Sequence, residues 1–272
     1  MAEIVILTRG REPGRNGPAS AWYEIGRNNA LAEELTLRGH RVAMWWDEPD
    51  GPCVSGNPEL AILRSGGPVN ISRGEQLRDR GVTVVNEPDC HWRASDKWEL
   101  AQIFRQHQIP HPPTSLADGV TPREMVLKVR RSSGGHGVSL IAAGTEIHDE
   151  NCILQERVAP HDDLRALVID NRVIHWLRRY PKEGEWRSNL AQGAAFEQAT
   201  NVPDDLNDLA VEAGCAAGLV LCGVDLIQGD DGWYVLEVNP GTTLYGATVE
   251  EGVRNVAAIA RALERRLRSA PA

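Results

Sequence analysis

The feature that most constrains this chain lies near its C-terminal end, where two apolar runs flank a Gly/Asp cluster. They predict a β-hairpin over residues 223–240. If Gly232 closes a three-residue loop in the left-handed conformation, Asp225 lies directly opposite Glu237. Glu237 and Asn239 are two residues apart, so both side chains point to one face of the strand.

Two carboxylates that face each other in a buried sheet repel each other unless a cation lies between them. Oxygen-only ligands suit Mg²⁺ or Mn²⁺ rather than zinc. The alternative is an ordinary hairpin whose acidic side chains are solvated at the rim of the sheet. The spacing alone leaves both open, a metal site made by Asp225, Glu237 and Asn239 or a solvated rim.

The composition indicates a globular protein without a surface for nucleic acid or membranes. A formal net charge of −9 argues against a nucleic-acid or anionic-membrane partner. No apolar run approaches membrane-spanning length and the first residues form no signal peptide, so we expect a cytoplasmic protein. The five cysteines contain no CxxC pair and indicate neither a zinc site nor a disulfide framework.

The N-terminal third alternates short apolar runs with helical patterns. Strands are expected at residues 4–7, 42–46, 60–63 and 82–85, and this order predicts a small parallel α/β sheet. The loop 9–17 lacks the glycine spacing of a dinucleotide-binding fingerprint. Its three arginines, Arg9, Arg11 and Arg15, either hold an anionic substrate group or belong to a solvated loop, and the sequence leaves this open.

A lysine lies inside an apolar strand that leads into a Gly-rich loop. Lys128 belongs to the predicted strand 125–129, the loop covers residues 130–137, and the return strand covers residues 138–141. This arrangement combines a fixed positive charge with backbone N–H groups that are free to wrap a phosphate. The loop is not a Walker loop, because no Gly-Lys-Ser/Thr follows its glycines.

A second cluster of charged residues lies at predicted strand ends between residues 178 and 189. Arg178, Arg187 and Asn189 are donor types that hold a triphosphate or stabilise charge on a transferring phosphoryl group. A salt-bridged surface is the ordinary alternative for such a run of charges.

The order of these motifs resembles the ATP-grasp superfamily, and most closely its RimK-like branch of amino-acid ligases. The matching stretches are Asp96-Lys97, Leu127-Lys128-Val129 before Gly134-Gly135-His136-Gly137-Val138, Gln155-Glu156 before Asp163-Leu164-Arg165, Arg178-Arg179, Lys182-Glu183-Gly184 with Arg187-Ser188-Asn189-Leu190, and Asp225 with Glu237-Val238-Asn239. The resemblance implies an α/β (α+β) ATP-grasp fold. It implies a parallel α/β domain over residues 1–94, a central subdomain with a Gly-rich flap over 95–158, and a C-terminal subdomain with the metal site over 159–272.

The resemblance also implies a role for each matching residue. The residues implied to bind ATP are Lys97, Lys128, Ser133, Gly134, Gly135, Gly137, Gln155, Glu156, Arg157, Asp163, Arg187 and Asn189. Backbone groups around Glu156 and Arg157 would read the adenine edge, and Asp163 would hold the ribose hydroxyls. The residues implied to be catalytic are Lys128, Arg187 and Arg178, the last directed to the γ-phosphate or acyl phosphate. Those implied to hold two Mg²⁺ or Mn²⁺ ions are Asp225, Glu237 and Asn239, with Glu237 between the ions.

The implied activity is that of an ATP-dependent carboxylate–amine ligase, which forms an amide or peptide bond through an acyl phosphate. The expected partners are an amino-acid or peptide carboxylate and an amine. A kinase with the same fold and a non-catalytic nucleotide-binding module are the alternatives. The N-terminal part and the loop 240–248 match the family least, so the substrate pair stays undetermined. The terminal helix leaves room for a homo-oligomer.

Overall fold

The computed structural model describes residues 1–8, 19–48, 57–159, 161–188, 193–244 and 246–269, and for residues 19–27 it describes the backbone alone. Within these ranges the chain forms a four-stranded N-terminal sheet, a four-stranded middle sheet and a five-stranded C-terminal sheet. None of the described helices is long and apolar enough to cross a membrane.

The N-terminal sheet is parallel and has the strand order β2-β1-β3-β4. Its elements are β1 (Glu3–Thr8), α1 (Ala19–Leu37), β2 (Arg41–Trp46), β3 (Leu60–Leu63), α2 (Pro68–Asp79) and β4 (Thr83–Val85). The side chains of β1 pack alternately in two different hydrophobic cores. Ile4 and Ile6 pack in the core that α1 covers, whereas Val5 and Leu7 pack with Leu77 of α2. Both faces of the strand are covered, which matches its apolar run from residue 4 to residue 7. The predicted parallel sheet is confirmed.

The middle sheet is antiparallel and has the strand order β5-β8-β6-β7. Its elements are α3 (Pro88–Ala94), α4 (Lys97–Gln106), β5 (Thr114–Val120), β6 (Met125–Val129), β7 (Val138–Ile141) and β8 (Glu146–Glu156). The predicted strands 125–129 and 138–141 are confirmed as β6 and β7, with the Gly-rich loop between them. The sequence does not predict β5, because most of its residues are exposed and it has no apolar period.

The C-terminal sheet is antiparallel and has the strand order β11-β10-β9-β12-β13. Its elements are β9 (Asp162–Ile169), β10 (Arg172–Tyr180), β11 (Ala195–Gln198), α5 (Asp204–Ala216), β12 (Leu221–Gly229), β13 (Gly232–Asn239) and α6 (Val249–Ser269). Leu164 and Val224 face α5 and lie in one core with Leu206. The alternate residues of the same strands are polar, Asp163 on β9 and Asp225 on β12, and they line the cleft between this sheet and the middle sheet.

The hydrophobic cores cross the predicted domain boundaries at residues 94/95 and 158/159. One core joins Leu100 and Phe104 of α4 to the C-terminal sheet, although α4 belongs to the predicted central subdomain. A second core joins Ile4 of the N-terminal sheet, Leu221 of β12 and Ile259 of α6. The three sheets correspond to the three predicted parts, and the boundaries themselves stay a prediction.

Asn86, which follows β4, connects the N-terminal sheet to the hairpin β12–β13. Its side-chain oxygen accepts hydrogen bonds from the backbone N–H groups of Val220 (2.8 Å) and Leu221 (2.9 Å). Its side-chain nitrogen donates to the carbonyl oxygens of Leu221 (2.8 Å) and Pro240 (3.4 Å). Asn86 is only 1% exposed, so a buried amide fixes both ends of the hairpin that carries the acidic residues.

Candidate active site

The hairpin β12–β13 brings Asp225 directly opposite Glu237, as the spacing predicts. The predicted reason for this pairing, a three-residue loop, is wrong. The turn contains two residues, because Gly229 pairs with Gly232, and the extra residue lies at a bulge near Asp225. There Leu226 pairs with Val235, whereas Asp225 pairs with Glu237. The bulge, rather than a three-residue loop, sets the pairing of the two carboxylates.

Asp225 is 5% exposed, which contradicts the alternative of a solvated rim. Arg179 Nη1 lies 3.1 Å from Asp225 Oδ2, and Arg165 Nε lies 3.4 Å from Oδ1. Asp225 Oδ1 accepts no hydrogen bond from the described residues. The two arginines therefore compensate the buried negative charge of Asp225. Its Oδ1 atom can still accept a hydrogen bond or bind a cation.

The donor set of this hairpin fits a hard divalent cation. Asp225 and Glu237 supply carboxylate oxygens on the cleft face, and the amide of Asn239 lies beside them. With its nitrogen 2.9 Å from Glu237 Oε1, the Asn239 oxygen lies 3.2 Å from Arg165 Nη2. The described residues include no group of three His, Cys, Asp or Glu side chains suited to a metal ion. A cation here would therefore need the amide, water or phosphate oxygens to complete its ligands.

A cleft of about 240 Å³ lies between the middle and C-terminal sheets. Lys97 and Lys128 line it from the side of the middle sheet, and Asp225 and Glu237 line it from the opposite side. Its apolar part is formed by Val126, Val158, Ile227 and Leu236. The predicted placement of Asp225 and Glu237 across one cleft from Lys128 is confirmed, whereas Asn239 does not line this cleft. The apolar residues of the cleft are not predicted.

Lys128 is held at the base of the cleft. Its Nζ donates a 2.6 Å hydrogen bond to Gln155 Oε1, and Gln155 Nε2 donates to Thr114 Oγ1 at 3.1 Å. Burial lowers the pKa of Lys128 to about 8, although the charges of Glu237 and Asp225 raise it. The hydrogen bond to Gln155 fixes Lys128 in place. An anion that enters the cleft would favour the charged form of its amine.

The Gly-rich loop forms one wall of the cleft through Ser133, Gly134 and Gly135. Gly134, Gly135 and Gly137 have φ values of 67°, 75° and 65°, which favour glycine. Gly137 lies behind the wall, where a Cβ atom would stand 2.5 Å from Val129 Cγ2. The glycines therefore allow a backbone path that most other residues follow only with strain.

Arg187 lines the cleft opposite the Gly-rich loop and contacts its tip. Its Nη1 donates to the carbonyl oxygen of Gly135 at 3.1 Å, and its Nη2 donates to Glu185 Oε2 at 2.6 Å. Asn189, the other predicted phosphate ligand of this segment, lies outside the described residues, as does the loop 9–17.

The expected position of Arg178 at the phosphate site needs correction. Arg178 Nε and Nη2 donate to Asp162 Oδ1 (2.8 Å) and Oδ2 (2.9 Å), and Arg178 does not line the cleft. Its neighbour Arg179 does, because successive residues of β10 point to opposite faces of the sheet. The sequence does contain one signal that separates Arg178 from Arg179, and it is Trp176. This large aromatic residue is buried in the core with α5, and Arg178 shares its face.

Asp163, Glu156 and Arg157 all line the cleft. Asp163 accepts a 2.7 Å hydrogen bond from Arg179 Nε, and burial raises the pKa of its carboxyl group despite that arginine. The side chains of Glu156 and Arg157 pair instead with charged neighbours at the rim, Arg123 and Glu124 respectively. The charged groups of both side chains are therefore engaged by exposed neighbours.

The sequence matches the profile of the RimK-like ATP-grasp domain over residues 94–263. It is 31% identical to a tetrahydromethanopterin:alpha-L-glutamate ligase of Methanocaldococcus jannaschii over 58% of this chain, and the match spans 62% of that protein's length. It is also 31% identical to a probable alpha-L-glutamate ligase of Maridesulfovibrio salexigens over 85% of this chain and 88% of the relative.

Solved ligase structures share the fold at lower identity. D-cycloserine synthetase DcsG has a TM-score of 0.71 at 18% identity, over 97% of this chain and 99% of that chain. The ATP-grasp ligase PsnB, complexed with a minimal precursor, has a TM-score of 0.67 at 19% identity, with the same coverage. The D-alanine–D-alanine ligase of Bacillus anthracis complexed with ATP has a TM-score of 0.68 at 12% identity, over 99% of both chains.

These likenesses confirm the ATP-grasp fold and support the ligase class expected from the motifs. The cleft, its two lysines, its Gly-rich wall and its acidic hairpin lie in the part of the chain that the family profile covers. The chain therefore belongs to the RimK-like ATP-grasp domain family.

Proposed function

We propose that this chain is an ATP-dependent carboxylate–amine ligase that forms an amide bond through an acyl phosphate. The observation that carries this proposal is the placement of two lysines, Lys97 and Lys128, across one cleft from Asp225 and Glu237. Positive groups on one wall suit the phosphates of ATP, and paired carboxylates on the other suit the divalent cation that accompanies them. The ligase names of the relatives support the same class.

The base of ATP would occupy the apolar part of the cleft beside the backbone of residues 156–158. Gln155 is already bonded to Lys128 and Thr114, so its amide stays a support for the lysine. The phosphates would lie between Lys128 and the Gly-rich loop, and Arg187 would reach them from the C-terminal side. Arg179 would take the place expected for Arg178, because it lines the cleft and holds Asp163 and Asp225 in position.

A divalent cation held by Asp225, Glu237 and Asn239 would neutralise charge on the phosphate oxygens. The substrate carboxylate attacks the γ-phosphorus of ATP, and ADP leaves. An amine then attacks the acyl carbon of the acyl phosphate, inorganic phosphate leaves, and the amine loses a proton. Lys128, Arg179 and Arg187 orient the phosphoryl group and stabilise the charge that develops on it.

An amino acid is the substrate class that we propose for one partner, with glutamate as the first candidate. Two of the relatives are named alpha-L-glutamate ligases, and this is the basis of the choice. Peptides that end in a free carboxylate or amine form the second set to test.

The test combines purified protein, ATP and Mg²⁺ with a panel of amino acids and peptides, and follows ADP and phosphate. Hydroxylamine is added to a second set of reactions, because an acyl phosphate yields a hydroxamate whereas a phosphorylated alcohol does not. We expect substrate-dependent ADP release with hydroxamate formation. ADP release without any hydroxamate would point to a kinase, and nucleotide binding without turnover would point to a binding module.

A further inference from the structure

Asp96 lies at the N-terminus of α4, beside the root of the Gly-rich loop. It is 2% exposed, although it carries a carboxylate. Its Oδ1 accepts hydrogen bonds from the backbone N–H groups of Trp98 (2.9 Å) and Glu99 (3.4 Å), which is the usual bonding of a helix N-cap. Asparagine or serine would cap the helix as well as aspartate does, so capping alone does not require a carboxylate here.

The same carboxylate holds two successive arginines of the loop root. Arg130 binds it in a bidentate manner, with Nε 3.0 Å from Oδ1 and Nη2 2.8 Å from Oδ2 of Asp96. Arg131 Nη2 lies 3.4 Å from Oδ2. Arg131 also stacks 3.8 Å above the ring of Trp92 and donates to its carbonyl oxygen at 2.9 Å. A bidentate arginine site needs a carboxylate, which an asparagine does not replace.

The next residue of α4 continues the same set of contacts. The backbone N–H of Lys97 donates to the carbonyl oxygen of Arg130 at 3.1 Å. Lys97 Nζ donates to the carbonyl oxygen of Ser132 at 2.7 Å and lies 3.2 Å from its Oγ. The N-cap Asp96 and the first residue of α4, Lys97, thus hold three successive residues of the loop root, Arg130, Arg131 and Ser132.

We propose that Asp96 is a positioning residue that sets where the Gly-rich loop stands over the nucleotide. The proposal rests on the proposed function, since it assumes that the cleft binds ATP. Asp96 does not line the cleft, so it acts through Arg130, Arg131 and Lys97. The glycines beyond the root adopt left-handed conformations that favour glycine, and the position of the root decides where this backbone path begins.

The test compares Asp96→Asn with a matched control, Asp170→Asn. Asparagine at position 96 keeps the helix cap and loses the bidentate pair. Asp170 also holds two arginines, with Arg265 Nη2 at 3.4 Å and Arg266 Nη2 at 3.1 Å, but it lies between β9 and β10, away from the loop. Both variants therefore lose one carboxylate that two arginines share, and only one of them affects the loop root.

Three measurements are made on the full chain: the melting temperature, the Kd of a non-hydrolysable ATP analogue with Mg²⁺, and the rate of tryptic cleavage after Arg130 and Arg131 without nucleotide. We expect Asp96→Asn to weaken analogue binding at least tenfold and to raise cleavage severalfold, both measured well below its melting temperature. That temperature should fall more than in Asp170→Asn, because Asp96 is buried whereas Asp170 is partly exposed. Asp170→Asn should change neither binding nor cleavage. Adding Arg130→Gln to Asp96→Asn should weaken binding little further, because both changes remove the same pair.

The proposal is overturned if Asp96→Asn binds the analogue as the unaltered protein does, or if its binding loss equals that of Asp170→Asn. In either case the proposed function still stands. If the unaltered protein does not bind the analogue at all, the proposed function fails. The cleavage rates then decide whether Asp96 holds the loop root, and equal rates in the two variants would reject that role too.

Discussion

Glu237 faces Asp225 because Leu236 is bulged out of the ladder between β12 and β13. The two-residue turn alone would place Leu236 opposite Asp225. Glu237 would then point to the face that packs against α5, since a slip by one residue reverses every side chain of a strand. The bulge turns Glu237 to the cleft, where it lies across from Lys128.

Glu237→Gln should lower ATP turnover about 100-fold or more, because the side chain loses the negative charge that would hold a divalent cation beside the phosphates. The melting temperature should change little, since glutamine keeps the size of the side chain. ADP release with Mg²⁺ measures the effect, and Glu250→Gln, at an exposed position of α6, is the control. Turnover equal to that of the control would contradict the role of Glu237.

Arg179→Ala and Arg178→Ala should differ strongly in stability although the two residues are neighbours. Arg179 is 10% exposed and contacts the buried carboxylates of Asp163 and Asp225, so its loss should cost about 3–5 kcal/mol. Arg178 pairs with the partly exposed Asp162, and its loss should cost about 1 kcal/mol or less. Urea unfolding measures both. Equal costs would show that the faces of β10 are assigned wrongly.

Gly137→Ala should destabilise the protein more than Gly144→Ala. Both glycines have positive φ, 65° and 79°, so both variants carry the strain of a left-handed alanine, about 1 kcal/mol. At Gly137 the new Cβ would also stand 2.5 Å from Val129 Cγ2, whereas nothing lies within 4 Å at Gly144. Overpacking should add about 1–3 kcal/mol at Gly137. Urea unfolding tests this, and equal destabilisation would contradict the tight packing behind the loop.

The free energy of unfolding should decrease as the pH is lowered from 6.5 towards 3, because of the buried side chain of His91. Burial, and then the charge of Arg64, lower the pKa of His91 from 6.5 to about 3 in the folded chain. Between these values the unfolded chain binds a proton on His91 and the folded chain does not. The stabilising effect of the neutral ring is therefore complete above pH 6.5 and is lost as the pH falls towards 3.

One proton corresponds to a slope of at most about 1.4 kcal/mol per pH unit. His91→Leu should reduce the slope of the free energy of unfolding between pH 6 and 4 by part of this amount. His107→Leu, at an exposed position, is the control for the loss of a histidine. A slope in His91→Leu that matches the unaltered protein would show that the folded and unfolded chains bind a proton on His91 equally.

Much of the cleft follows from local sequence patterns. The strand that contains Lys128, the Gly-rich loop after it and the hairpin of Asp225 and Glu237 are each specified within about twenty residues of chain. The parallel N-terminal sheet follows from its alternation of strands and helices. These features are predictable because turn residues and apolar periods act over short distances.

Features that depend on long-range packing were not predictable in the same way. The partner of Asp96 is Arg130, which is remote in sequence, and no local pattern joins them. A two-residue turn with a bulge at Leu236 pairs Asp225 with Glu237, as the predicted three-residue loop would. The sequence therefore could not distinguish the bulge from the longer loop. The choice between Arg178 and Arg179 depends on which face of β10 meets α5.

The buried amide of Asn86 links the N-terminal sheet to the acidic side chains of the cleft. It is hydrogen-bonded to the first residue of β12 and to Pro240, which follows the last residue of β13. Asp225 and Glu237 lie on the hairpin between these two points. A substitution that displaces Asn86 should therefore shift the carboxylates of the cleft, although Asn86 itself does not line it.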